Sequence, residues 1–417
     1  MQINKSILEN QLRLLTIPLA GTETVTVLVL VGTGSKHELE EQAGISHFLE
    51  HLMFKGTKKR PSTKIISEEL DSVGGMFNAF TGNEATGYWV KSEKAHLNLA
   101  LDVISDMLSS SKLENLEIDR ERGVILEEIK MYQDIPQEYV GELFEKLLYE
   151  NQPAGRPVIG YPKNIKSFTR KNFVDYLASQ YKSSNIIIAI AGNFASADLN
   201  INKFFGSFKP GIIKDKPGVT ENQDRPQEMV FLKKTDQTHL CLGFRAKNAR
   251  HKDRYALMVL ANVLGGMMSS RIWLSVRERQ GLAYYVKTHY EKNSDTGYIV
   301  TQAGVAHNKI KPALNAILKE YANAHKISLP ELTKAKENLK GKLLINLEAS
   351  EEVANFAAGQ ELLRQKILTP SQIIAKINKI SSSDIERVAQ ETFQNKNLNL
   401  CLITPKKSSY LSPLSLK

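Results

Sequence analysis

The sequence predicts an α+β chain of two homologous domains, each a mostly antiparallel sheet covered by helices. Three observations carry this expectation. The order of strand and helix signals in the first half begins again after residue 227. A shift of 212 residues carries Phe168–Gly192 onto Ile380–Thr404 without a gap, so that Tyr181 meets Phe393 and Asn185 meets Asn397. Between the halves lies KPGIIKDKPGVTENQDRPQ, residues 209–227, rich in Pro, Gly and charge as an exposed linker should be. The expected domains are therefore 1–208 and 228–417, each about 200 residues long, within the usual size range.

The elements follow in order. Thr24–Val31 (TVTVLVLV) is β-branched and apolar, a strand ended by Gly32 and Gly34. A helix over Glu41–Phe54 is closed by Gly56, and a second over Ser62–Val73 stops at Gly74-Gly75. Met76–Ser92 alternates aromatics and threonines around Gly82-Asn83, the signature of a β-hairpin. Helical patterns cover Lys94–Ser109, Asn115–Gln133, Pro136–Glu150 and Thr169–Tyr181, and Asn185–Ile190 is a buried strand. In the second half, Thr238–Phe244 is a strand, Lys252–Leu264 a helix and Gly297–Ala303 a strand. Ile310–Ala324, Pro330–Leu347 and Ser382–Phe393 are helices, and Leu398–Ile403 is the last strand.

Composition narrows the function. The net charge of +10 is mild for 417 residues and the lysines are scattered, so no nucleic-acid stripe is expected. No apolar run reaches the roughly 18 residues that span a membrane, and MQINKSILENQLRLL has no signal-peptide core. Cys241 and Cys401 lie in apolar alternating runs, which fits buried thiols in a reducing cytoplasmic setting and excludes a cysteine zinc site.

The chemistry centres on His47-Phe48-Leu49-Glu50-His51. Positions i, i+3 and i+4 share one helix face, so both imidazoles can bind one metal while Glu50 reaches a water bound to it. With 9 histidines in the chain, the pattern is expected by chance about 0.015 times, so it is read as chemistry. The order is that of the inverzincins, the reverse of H-E-x-x-H. The corresponding second-half helix, KDRYALMVLANVL, holds no histidine, so the metal site occurs once.

A catalytic zinc takes three protein ligands. The Asn115–Gln133 helix offers Glu121, Glu127 and Glu128. Glu121 and Glu128 share a face, with Glu127 about 100° away. Glu128 on the metal with Glu121 orienting a histidine is one arrangement. Spacing leaves Glu127 and Glu128 both open, and a solvated acidic face is the plain alternative.

The pentad followed by Glu121-Arg122-Gly123-Val124-Ile125-Leu126-Glu127-Glu128 resembles the pitrilysin family of zinc peptidases, which includes insulin-degrading enzyme and the mitochondrial processing peptidase. In that family the final Glu of this helix, 76 or 77 residues past the second histidine, is the third ligand. Here that residue is Glu128, 77 past His51, and the resemblance makes Glu121 the supporting acid. It further implies a duplicated half-clamshell fold and one Zn2+ per chain. The implied activity is a metalloendopeptidase in which Glu50 activates the zinc-bound water to hydrolyse peptides or short unfolded polypeptides.

Two more segments carry the resemblance. Gly74–Thr86 resembles the strand that holds substrate backbone, which implies substrate contacts at Asn78, Ala79 and Phe80. Arg277 and Tyr284, seven apart, match an Arg–Tyr pair that reaches across a central cavity, the Arg towards a peptide carbonyl or carboxylate and the Tyr towards the developing oxyanion. Without the family, Phe80 is a buried hairpin aromatic, Arg277 a surface cation and Tyr284 a packed strand residue. The sequence departs from many relatives at Asn151–Pro157, which lacks a His before the proline. The resemblance implies a homodimer, or a heterodimer with a related subunit. Some relatives are non-catalytic partner subunits of a heteromeric processing peptidase, but those generally lose the pentad that this chain keeps.

Overall fold

The structure is a computed structural model that describes residues 1–195, 199–363 and 366–411. The first half of the chain runs β1 (Asn4–Ile7), β2 (Arg13–Pro18), β3 (Thr24–Val31), α1 (Ile45–Met53), α2 (Thr63–Asp71), β4 (Met76–Thr81) and β5 (Thr86–Glu93). It continues through α3 (Leu97–Ser110), α4 (Asn115–Gln133), α5 (Pro136–Tyr149), α6 (Pro162–Ser167), α7 (Arg170–Gln180), β6 (Ile186–Gly192) and α8 (Ile201–Phe205). The second half runs β7 (Gln227–Leu232), β8 (Thr238–Ala246), α9 (Arg254–Gly265), β9 (Ala283–Lys292), β10 (Gly297–Val305) and α10 (Ile310–Ala322). It ends with α11 (Leu329–Asn346), α12 (Ser350–Leu362), α13 (Pro370–Asn378), α14 (Ser382–Thr392) and β11 (Leu398–Thr404).

The duplication is visible in the topology. One sheet has the order β1-β2-β6-β3-β5-β4 and the other β7-β11-β8-β10-β9. Apart from the extra outer strand β1, the two orders correspond strand for strand along the chain. Among the described residues, one parallel pair in each sheet, β2–β6 or β7–β11, joins otherwise antiparallel ladders. The 212-residue shift seen in the sequence carries the bounds of α7 onto α14 and of β6 onto β11, residue for residue.

Packing departs from chain order. One compact unit comprises Met1–Ile129, Arg156–Pro217 and Leu344–Pro370, and the other Lys130–Gly155, Gly218–Leu343 and the remainder from Ser371. The break at Pro217 falls inside the expected linker, but the halves exchange a helix across the expected 208 and 228 boundaries. In the first unit, α12 covers one face of the sheet. Its Val353, Ala354, Ala357 and Ala358 pack on Leu15, Leu28, Leu30 and Ala189, and its Ser350 bonds Thr26 at 2.8 Å. Alanines let the helix lie close to the strands, and their burial replaces a sheet face otherwise left to water. In the second unit the counterpart α5 buries Val140, Leu143, Phe144 and Leu148 against Cys241, Val300, Cys401 and Ile403. Cys241 and Cys401 are free and buried, as expected.

The opposite face of the first sheet, formed by Val25, Val27, Val29 and Val31 with their neighbours, packs on α1, α3 and α7 through Phe48, Leu49, Leu101, Ile104 and Phe173. This core fixes α1 against the sheet. Among the described residues, no helix is long and apolar enough to cross a membrane.

Candidate active site

Helix α1 is amphipathic in the sense the pentad requires. Ile45, Phe48, Leu49, Leu52 and Met53 are buried, which turns His47, Glu50 and His51 to the other side. Its start is anchored. Gly44 has φ +97°, and a Cβ there would lie 2.7 Å from the Ile159 carbonyl oxygen, so glycine is needed. The buried Glu38 carboxylate accepts from the Gly44 and Ser46 N–H groups, both at 2.8 Å. Burial pushes the Glu38 carboxyl up to about 7, against the pull of these two bonds. The Ser46 hydroxyl bonds the buried Tyr176 hydroxyl at 2.8 Å, and Tyr176 in turn meets Thr33 at 2.9 Å. These contacts fix the turn that carries His47.

Helix α4 supplies the third donor. His47, His51 and Glu128 each offer a ligand atom, and these atoms all lie within 4.8 Å of one another. The Nε2 of His47 is 3.8 Å from Glu128 Oε1, and the Nε2 of His51 is 3.6 Å from Oε2. Those distances are too long for hydrogen bonds. They suit donors around a shared cation, since two ligands about 2.1 Å from a tetrahedral ion lie about 3.4 Å apart. Glu128 Oε2 is buried without a hydrogen-bond partner among the described residues. Such an orphaned oxygen, in a two-nitrogen, one-oxygen set, fits a zinc ion. Spacing left Glu127 and Glu128 open; the fold groups Glu128 with the histidines and leaves Glu127 exposed.

The surroundings tune these groups. Burial, reinforced by the His51 charge, lowers His47 to about 3, which keeps its ring neutral and able to donate an electron pair. Glu121 Oε2 lies 3.1 Å from His51 Nδ1, and its other oxygen accepts from Lys55 Nζ at 2.7 Å. Burial alone would raise the Glu121 carboxyl, but the bonds from His51 and Lys55 outweigh it and hold it below the usual carboxylate range. Glu121 thereby orients the His51 ring with Nε2 towards Glu128. Burial raises Glu128, and Glu121 adds to this while His51 opposes it.

Glu50 stands beside this group on α1. Its Oε2 accepts from Thr81 Oγ1 at 2.5 Å, and burial raises its pKa against the pull of that bond. Sequence reasoning missed Thr81. The signal was present in the alternation of β4, where Phe77, Ala79 and Thr81 share the side that packs on the core carrying α1. Thr81→Val is expected to lower kcat about tenfold, by freeing one Glu50 rotor, with Thr81→Ser restoring most of it; steady-state kinetics of the two variants check this.

Strand β4 is an outer strand of its sheet, at the end opposite β1. The Ala79 N–H donates to the Asn78 side-chain oxygen at 2.8 Å. Phe80 is 37% exposed and lies across Gly87, so it is not a buried hairpin aromatic. In the second unit, Arg277 sits on a π-helical turn, Trp273–Glu278, and Tyr284 on the outer strand β9. The fold brings the two together: the guanidinium is 5.3 Å from the Trp273 ring centre and 6.0 Å from that of Tyr284, which is 76% exposed. In the segment that departs from many relatives, Arg156 donates to the Glu38 carbonyl at 2.6 Å.

A duplicated sheet-and-helix chain whose first half alone carries His-x-x-Glu-His, with a distant Glu completing the donor set, defines an inverzincin-type architecture. Comparison with known proteins gives the family. Residues 13–161 match the family described as Insulinase (Peptidase family M16), and residues 167–339 match the Peptidase M16 inactive domain. The "Uncharacterized zinc protease YmxG" of Bacillus subtilis (strain 168) is 36% identical over 92% of this chain and 93% of its own length. An "Uncharacterized zinc protease" of Rickettsia felis is 33% identical over 94% and 95%. The crystal structure of a protease from Helicobacter pylori superposes with a TM-score of 0.91 at 26% identity, covering 97% of this chain and 99% of that one. The chain belongs to peptidase family M16, the insulinase or pitrilysin family, and has its duplicated fold.

Proposed function

We propose that this chain is a zinc-dependent metalloendopeptidase that hydrolyses peptides or short unfolded polypeptides, with one zinc per chain. The grouping of His47, His51 and Glu128 with Glu50 at its side carries this reading. The names of the relatives as zinc proteases support it. His47, His51 and Glu128 would hold the zinc, with Glu121 fixing the His51 ring. Zinc in such a site lowers the pKa of water and polarises a carbonyl.

The remaining steps belong to the chain's own residues. Glu50 takes a proton from the attacking water and delivers it to the leaving amine, oriented by Thr81. An extended substrate adds to the outer edge of β4 at Asn78, Ala79 and Phe80, which grips backbone with little demand on side chains. Arg277 binds a substrate carbonyl or carboxylate, and Tyr284 donates to the oxyanion. The family resemblance further supports assembly as a dimer.

Digestion of an unstructured peptide library, read by mass spectrometry, tests this. Cleavage is expected, to be abolished by a zinc chelator and restored by added zinc, with close to one zinc per chain in the purified protein. Zinc far below that stoichiometry, or cleavage indifferent to the chelator, would overturn the reading.

A further inference from the structure

The second unit contains the counterpart of the metal site, and its charge is inverted. A shift of 214 residues carries α4 onto α11 with its buried side in register, so that Ile118 and Glu121 fall on Leu332 and Ala335. The same shift puts Lys342 where Glu128 stands. A shift of 211 carries the buried pairs Phe48-Leu49 and Leu52-Met53 onto Val259-Leu260 and Val263-Leu264, and His47 and His51 onto Met258 and Asn262. The interactions confirm the correspondence. Where His51 bonds Glu121, Asn262 Nδ2 bonds the Ala335 carbonyl at 2.9 Å.

Beside these positions, with Lys342 in its lining, the structure has an open cavity of about 780 Å³. Met267, Met268 and Trp273 give it apolar walls, and Lys287, Lys334 and Lys342 reach it from β9 and α11. Lys334 and Lys342 each spend one donor on the glycine-rich turn, at Ser269 O and Gly266 O, both at 2.8 Å. An ammonium has three donors, so two on each have no partner among the described residues. Among the described residues the one carboxylate in the lining, Glu337, is paired with Lys340 at 2.5 Å. Partial desolvation, and then the nearby Lys287 charge, holds Lys342 below its ordinary pKa. Strand β9, whose Val286 and Lys287 line the cavity, is an outer strand of its sheet. Trp273 also carries the Arg277 guanidinium on its ring.

We propose that this cavity binds an acidic segment of the peptide substrate, its carboxylates on Lys287, Lys334 and Lys342 and its backbone along the outer edge of β9. Three lysines with no ion-pair partner among the described residues, over an apolar floor, complement a chain that alternates carboxylates with apolar side chains, and an outer strand edge takes extended backbone. The proposal rests on the peptidase reading and extends it to substrate class: peptides with an acidic stretch outside the cleaved bond are preferred.

The test uses three fluorescent peptides that share one cleavable segment and differ in a flanking stretch of Asp/Glu, Ser or Lys. Their binding to the full-length Glu50→Gln chain is followed by anisotropy, which reads the cavity without cleavage. The acidic peptide is expected to bind about tenfold more tightly than the serine peptide, with the margin shrinking as salt rises. Replacing Lys287, Lys334 and Lys342 together by Gln should erase the margin, and Lys287→Gln alone should cut it two- to threefold, about one pair's worth. In the cleaving chain the triple variant should raise KM for the acidic peptide about tenfold and leave kcat and the serine peptide unchanged. No margin, a margin that survives the triple variant, or equal competition by a single-stranded oligonucleotide would overturn the proposal. A margin that is present and lysine-dependent in a chain that cleaves nothing would sink the peptidase reading and leave the cavity assignment standing.

Discussion

Glu50→Gln is expected to leave close to one zinc per chain and to reduce peptide cleavage by about 10²- to 10⁴-fold. The two effects separate because the fold separates the groups. The donors that converge are those of His47, His51 and Glu128, and Glu50 is not among them. Glutamine keeps the size of the side chain, and its carbonyl oxygen can still accept from Thr81 Oγ1, which now lies 2.5 Å from Glu50 Oε2. The amide cannot take a proton from water, so the loss falls on kcat rather than on substrate binding. Burial raises the Glu50 pKa, and only its ionised form is a base. Activity should therefore climb with pH through a limb above the ordinary carboxylate range and fall as pH drops through it. Zinc content by metal analysis and kcat on an unstructured peptide check both halves. A Glu50→Gln chain that cleaves at the unaltered rate would show that Glu50 is not the base.

What the sequence revealed of this site, and what it hid, follows from the range of each interaction. The pentad was legible because its geometry is local: one α-helical period puts His47, Glu50 and His51 on one side, and the buried Phe48, Leu49 and Leu52 confirm the phase. The choice between Glu127 and Glu128 was not legible from spacing. It depends on which face of α4 is inward, and that face is set by Ile118, Glu121, Ile125 and Ile129 meeting the core. Family resemblance chose Glu128 where spacing could not. Thr81 was hidden because its bond to Glu50 joins residues 31 apart through the pairing of β4 with β5.

The same distinction governs the fold. Long periodic elements such as α4, and strongly β-branched ones such as β3, form at the bounds the pattern implies. Helix α12 has little signature in the sequence because its buried face is largely alanine, a weak periodic signal that works only against a sheet already present. The exchange of α5 and α12 was out of reach for a more basic reason. Domain boundaries drawn along the sequence assume that a segment packs where its chain neighbours pack, whereas the apolar face of α5 is covered by β8, β10 and β11. The duplication, by contrast, was legible because β6 and β11 are bounded by the same helix and turn in both halves.

Glu128→Gln is expected to weaken zinc binding by more than a hundredfold and to abolish cleavage with it, whereas Glu121→Gln should weaken zinc binding about 10- to 100-fold. The ranking follows from position. Glu128 presents a buried oxygen that no other described group satisfies, so an amide there removes a charged donor from the metal. Glu121 acts one contact further out, holding His51 Nδ1 at 3.1 Å, so its loss frees a ring and leaves all three donors in place. The pH dependence has a definite sign. Burial raises the Glu128 pKa, and a proton there competes with the metal. Zinc affinity should therefore rise with pH through that raised pKa and be lost as pH falls through it. His47, held near 3 by burial and by His51, stays neutral throughout that window and contributes nothing to the loss. Competition with a chromophoric chelator between pH 5 and 8 measures these affinities on the intact chain. A Glu128→Gln chain that holds zinc as tightly as the unaltered protein would exclude Glu128 as a ligand. A Glu121→Gln chain losing more zinc than Glu128→Gln would reverse the two roles.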